Sequence, residues 1–330
     1  MAQHMANLYH LNLLKKGAKV WNAWRAKQRE LQPNLGRADL KNASLCGADL
    51  HRANFIEANL SGTRLFQANL SEANFSGAIV SGADLRQTNL CGAIFYGVKL
   101  NGANLSGADL YGARLCGADL RGALLNGANL GGVNLGGANL SGSSLKGVNL
   151  CGVNLVGADL IMADLSHAQL GEATLSWANL SRSDLRAADL TRADLSWAVL
   201  AAADLRGANL CEANLYSADL HGANLRQINL QGNNLSHANL SAAILSDADL
   251  TRALLVHANL SDANLSGADL SRANLYRANL CHADLYRASL SEADLREGNL
   301  NATDLRGADL TRALLNGATL DGADLRGALR

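Results

Sequence analysis

From Leu35 to Leu325 every fifth residue is large and apolar, 59 positions in unbroken register, all leucine except Phe55, Phe75, Val80 and Phe95. Two residues ahead of each next large position, from Ala38 to Ala328, 47 of 59 residues are alanine. Most of the others are small or β-branched, such as Thr63, Val133 and Ser183. The residue just before the large one is Asp or Asn in 43 of 59 cases, so the unit reads Ala-Asp/Asn-Leu-x-x. A period of five matches neither a 3.6-residue helix nor the alternation of an open sheet. One short extended side followed by a turn does match it, because residues two apart on an extended side point the same way. The small and large residues then face inward together. Four sides would close a coil of twenty residues, and coils would stack at roughly 4.8 Å, the strand-pairing distance.

The spacing of Phe55, Phe75 and Phe95 by twenty is an independent sign of that coil length, since it stacks them as an internal aromatic ladder. In this register the chain resembles the pentapeptide repeat family over residues 34–330. That resemblance implies an all-β solenoid, a right-handed quadrilateral β-helix with about twenty residues per coil. It also implies a role in structure or protein interaction rather than catalysis. The expected organisation is an amphipathic capping helix with linker at 1–33 and an uninterrupted solenoid at 34–330. Nearly fifteen coils would run roughly 70 Å at the strand spacing.

Residues 7–30 read as one helix, with Asn7 as N-cap, Pro33 at the exit, and Leu8, Leu11, Leu14, Ala18, Trp21 and Trp24 along one face. Leu11, Leu14, Trp21 and Trp24 are the expected lid on the first coil, whose unpaired strand groups need cover. The Trp-Asn-x-Trp-Arg stretch at Trp21–Arg25 resembles segments preceding cyanobacterial pentapeptide repeats. The second methionine, Met5, suggests that MAQHM at 1–5 is an addition to the natural chain. The repeats run to Arg330 without a second lid, so a coil containing Leu310, Leu315, Leu320 and Leu325 is expected to mediate homodimerisation.

Composition removes several function classes. One proline and four phenylalanines against 32 glycines do not suit an ordinary globular core of 330 residues. The formal charge is zero, but residues 1–30 carry +5 and residues 34–330 carry −5. Neither nucleic acid nor membrane is an expected partner on that balance. A basic membrane-surface helix is the alternative reading of the N-terminus, weakened by Gly17. The six cysteines occupy the first turn position, too far apart to pair, which suits a cytoplasmic protein without disulfides. No cofactor motif and no catalytic constellation is present. His237 and His257 would stack, but no third ligand accompanies them, so no metal site is expected.

The second turn position is glycine at sixteen of seventeen places from Gly77 to Gly157 and then becomes varied after Met162, which suggests a change of turn type. Stacking by twenty brings Trp177, Trp197, His237, His257 and Arg277 into one column, with Tyr216 and Tyr276 in the column beside it. This is the candidate face for an unknown protein partner. Glu172, Arg192 and Glu212 form an alternating charge ladder, and Arg186, Arg206 and Arg226 a basic stack beside Asp184 and Asp204. The leading reading is a non-enzymatic scaffold. The alternative, implied by the family resemblance, is a DNA mimic acting on gyrase, for which a charge of −5 over 297 residues is sparse.

Overall fold

In the computed structural model, residues 5–330 are described; residues 1–4 of the MAQHM segment lie outside them. The chain divides into two compact units, residues 1–164 and 165–330. Both are built from the same five-residue side.

Each side has its own hydrogen-bond plan, visible at the start of the repeat. Leu35 N–H donates to the Asn54 carbonyl at 2.8 Å and Arg37 N–H to the Ile56 carbonyl at 2.8 Å, both on the following coil. Asn54 N–H donates back to Pro33 at 2.8 Å, and Ala38 N–H closes a β-turn onto Leu35 at 3.1 Å. The fifth N–H, that of Gly36, has no backbone acceptor within the plan; the Asn34 Oδ1 accepts it at 3.1 Å. This is why Asp and Asn dominate the position before leucine: their side chains complete the bend as Asx-turns. Within each unit the centres of the sides pair in parallel with residues twenty later, as in Asn34 with Asn54 and Asp184 with Asp204. Only one residue per side bridges, because the turn interrupts the extended stretch on both flanks.

Every turn has the same hand. All 59 second turn positions, 26 glycines and 33 other residues, have positive φ. The expected change of turn type after Met162 does not occur: Gly157 has φ 63° and Trp177 φ 62°. With the i→i+3 bond and positive φ at the third residue alone, these are type II turns. In most turns the N–H of that third residue donates to the next coil, as Arg37 does to Ile56, and glycine and non-glycine residues share the same conformation.

In residues 1–164 the lumen is filled by alternating large and small side chains. Phe55, Phe75 and Phe95 stack with ring centroids 4.9 Å apart at both steps, and none reaches solvent. In residues 165–330 leucines from Leu165 to Leu310 fill it. Asn233 stands in a small position there; its amide donates to the Leu210 and Ala213 carbonyls at 2.8 and 3.0 Å. Leu310 is buried, whereas Leu315, Leu320 and Leu325 are half-exposed.

The single helix expected over 7–30 is two, α1 (Leu8–Lys15) and α2 (Ala18–Arg25). Gly17 separates them at φ 100°, a value that only glycine adopts readily. Asn7 is the N-cap of α1, accepting from Tyr9 and His10 N–H. The break rotates α1, so Leu8 leaves the apolar face and is 72% exposed.

Candidate binding surface

Side chains at the two turn positions point away from the lumen and stack coil upon coil, so the surface is a set of columns. In the unit 165–330 one corner carries an aromatic ladder. Trp177 and Trp197 lie parallel, 3° between planes and 5.1 Å between centroids. They are 61% and 45% exposed. Ser217 interrupts the second-position column, and Tyr216 from the first position fills the gap. It meets Trp197 edge-on at 5.9 Å and His237 edge-on at 5.5 Å. His237 and His257 stack at 5.1 Å, and His257 meets Tyr276 edge-on at 6.2 Å. Arg277 lies over Tyr276 at 5.1 Å and is held by Glu297 at 2.6 Å. Spacing by twenty places the tryptophan pair and the histidine pair, but the bridging role of Tyr216 needs the geometry of both columns.

The charged columns are largely self-neutralising. Wherever Arg occupies the first turn position two residues after Asp, it folds back onto that carboxylate. Arg86–Asp84, Arg121–Asp119, Arg186–Asp184, Arg206–Asp204, Arg296–Asp294, Arg306–Asp304 and Arg326–Asp324 all form this pair at 2.6–2.8 Å. The guanidinium hydrogen bond holds each of these carboxylates below its ordinary pKa, that of Asp324 at about 2. Arg192 reaches Glu212 at 2.7 Å and Glu172 at 3.9 Å, completing the alternating ladder. Arg226, which follows Asn224 rather than Asp, turns instead to Asp247 at 3.8 Å.

The N-terminal helices dock on the first coil by imitating a preceding one. Trp21 Nε1–H donates to the Asp49 carbonyl at 2.7 Å, and Asn22 Oδ1 accepts Asp49 N–H at 2.8 Å. Arg25 donates to the His51 carbonyl at 3.2 Å. These are the three groups that an earlier coil would engage on that side. On another side Asn7 N–H reaches the Asn34 carbonyl at 3.0 Å, and His10 Nδ1 accepts Asn34 N–H at 3.2 Å. Burial lowers the His10 pKa, in keeping with an unprotonated acceptor. Leu14 and Trp21 are buried, while Leu11 and Trp24 are half-buried. The sequence reading missed Arg25, which is 1% exposed, and Asn22 and His10 with it. Arg25 could have been found from its place one turn after Trp21 on the same face.

Free cysteines are not all fully outside: Cys91 and Cys281 are half-buried. Burial and a hydrogen bond to the Asp109 carboxylate push the Cys91 thiol up to about 11. Among the described residues no three His, Cys, Asp or Glu side chains converge as a metal site would require, and no helix is long and apolar enough to cross a membrane.

These features define a class of protein: a four-sided β-solenoid whose turns display columns of side chains. The pentapeptide repeats profile matches in successive stretches from residues 34–71 to 299–329, and the chain belongs to that family, whose fold is the right-handed quadrilateral β-helix. Among solved structures it is similar to HetL, a pentapeptide repeat protein involved in heterocyst differentiation regulation from the cyanobacterium Nostoc sp. strain PCC 7120. Identity is 32%, over 82% of this chain and 88% of HetL, with a TM-score of 0.20. Rfr23 from the cyanobacterium Cyanothece 51142 is 30% identical over 34% of this chain and 90% of its own, TM-score 0.26. QnrB1, a plasmid-mediated fluoroquinolone resistance protein, is 22% identical over 55% of this chain and 88% of its own, TM-score 0.35. A search of curated proteins finds no match.

Proposed function

We propose that this protein is a non-enzymatic interaction scaffold and that the corner running from Trp177 to Arg277 is its docking face for a protein partner. The observation that carries this reading is the pair of parallel, exposed indoles at positions where the turn favours glycine. Left-handed backbone costs an L-residue about 1–2 kcal/mol, and two adjacent tryptophans there gain nothing from lumen packing. Rigid aromatics and arginine are the residues that anchor protein interfaces. Six unpaired thiols favour a reducing compartment such as the cytoplasm.

Selection of peptides from a random display library against the full chain tests the reading. Selected peptides should lose about tenfold or more in affinity when Trp177→Gly and Trp197→Gly are combined, a loss of the size that interface anchors carry. Selected peptides that all bind the double variant equally well would overturn it. DNA mimicry of a gyrase substrate has less support, because the Asp–Arg pairs break up the acidic columns that a duplex imitation requires. Inhibition of gyrase supercoiling by the chain would reverse that order.

A further inference from the structure

The helical cap covers two sides of the first coil and leaves the other two open. In the ladder, each side offers three backbone groups to the coil before it: the N–H and carbonyl of its central residue and the carbonyl two residues on. Around Asp49 all three are taken up by Trp21, Asn22 and Arg25. Around Asn34 the central N–H and carbonyl are taken up by His10 and Asn7. On the remaining sides, the N–H and carbonyl groups of Asp39 and Ser44 and the carbonyls of Lys41 and Cys46 have no hydrogen-bond partner among the described residues. An open strand edge of this kind is a template for a further extended chain.

The two open edges differ in what flanks them. Asp39 places a carboxylate at the centre of its own side. Beside Ser44, the link between α1 and α2 borders a groove whose floor is Leu14, Leu40 and Leu45, all buried, and whose wall carries Lys15 and Lys16. Both lysines are exposed, neither has an ion-pair partner among the described residues, and no acidic side chain lines the groove. We propose that the Ser44 edge receives an acidic, extended peptide segment as an added parallel strand. The bonding plan of the solenoid sets its register. Its residue before the centre offers a carbonyl to Ser44 N–H, as Pro33 does to Asn54. The residue after the centre donates to the Ser44 carbonyl and the third after it to the Cys46 carbonyl, as Leu35 and Arg37 do to Asn54 and Ile56. The residues flanking the centre face inward, which calls for small and apolar side chains. Carboxylates between them complement Lys15 and Lys16, and a basic strand would be repelled. A nucleic acid backbone has no N–H groups to serve the Ser44 and Cys46 carbonyls. The inference is independent of the Trp177–Arg277 corner.

Titration of the isotope-labelled full chain with acetyl-Ala-Glu-Leu-Glu-Gly-amide, followed by amide chemical shifts, tests this. The proposal expects a saturable shift at the Ser44 amide and a smaller one at Asp39. The same peptide with both glutamates replaced by lysine should leave Ser44 unmoved. So should the peptide with proline in place of leucine, which lacks the donor to the Ser44 carbonyl. Lys15→Gln combined with Lys16→Gln should weaken binding about threefold or more, the size expected of two exposed ion pairs. Unchanged Asn34 and Asp49 amide shifts in that variant before peptide is added verify that the cap stays docked. No saturable shift at Ser44 up to millimolar peptide overturns the proposal. Equal binding of the lysine or proline peptide overturns it too, as does unchanged affinity in the double variant.

Discussion

Gly122 and Trp177 occupy the same place in the repeat and have nearly the same φ, 63° and 62°, yet one has no side chain and the other the largest. An added Cβ at Gly122 would meet nothing within 4 Å, so its substitution isolates the backbone cost. Left-handed φ costs alanine about 1–2 kcal/mol. The reduced freedom of the unfolded chain offsets about 0.4–1 kcal/mol of that. Gly122→Ala should therefore lower stability by about 0.8 kcal/mol, the difference between the mid-points of those ranges, read from urea midpoints at unchanged slope. No loss would show that the turn tolerates side chains freely, and the tryptophan pair would then lose part of its significance. The Asp/Asn position is explained at this scale too: without the Oδ1 acceptor, one N–H per side has no partner in the backbone plan.

At the scale of elements, α1 and α2 act as a coil made of side chains. Asn22 both donates to the Gly47 carbonyl and accepts Asp49 N–H, at 2.8 Å each. Asn22→Ala should leave the helices formed but raise hydrogen exchange at the Asp49 amide, with about 1–3 kcal/mol lost for the unsatisfied groups. Unchanged exchange would mean that Trp21 alone seals the coil. The cap should also respond to pH. The folded pKa of His10 lies below its ordinary 6.5, so as pH falls below that value the unfolded state takes up the proton first and docking weakens. Exchange at the Asn34 amide, taken relative to its intrinsic rate at each pH, should rise as pH falls from 7.5 to 5.5, and His10→Asn, which keeps an acceptor but does not titrate, should flatten that response. A rise that persists in His10→Asn would assign the effect to another group. Burial of Leu14 and Trp21 in docking consumes the apolar face that a membrane-surface helix would need.

At the scale of the molecule, the period of five and the inward-facing pair were legible in the residues, while the four-sided closure and its hand came from the family resemblance. Aligned by twenty, the sequence also brings the phenylalanines, the tryptophans and the histidines into neighbouring coils. Three features were not legible for physical reasons. The uniform turn is shared by glycine and by 33 other residues, so the identity of the turn residue does not reveal it. The path of the ladder through Tyr216 depends on how far a ring reaches between columns. The rotation at Gly17 decides which leucines the cap buries, and no periodicity reveals it. Inside and outside should differ sharply within residues 165–330. Leu205 is fully buried, and Leu205→Lys places a charge in the lumen, enough to disrupt the neighbouring coils cooperatively. Arg206→Ala removes only an exposed ion pair and should shift the melting temperature little. Equal melting shifts in the two variants would contradict the assignment of faces.

The central claim is that twenty residues make one coil and that turn positions twenty apart stack into columns. Pulsed electron–electron double resonance measures it directly, with spin labels on Arg182→Cys and His282→Cys and the six native cysteines replaced by serine. The two positions are exposed and lie in one column, one hundred residues or five coils apart. Stacked coils predict a single narrow distance near 24 Å, five strand spacings, broadened only by the label linkers. A broad distribution, or a mean beyond about 40 Å, would contradict a coil of twenty at that spacing.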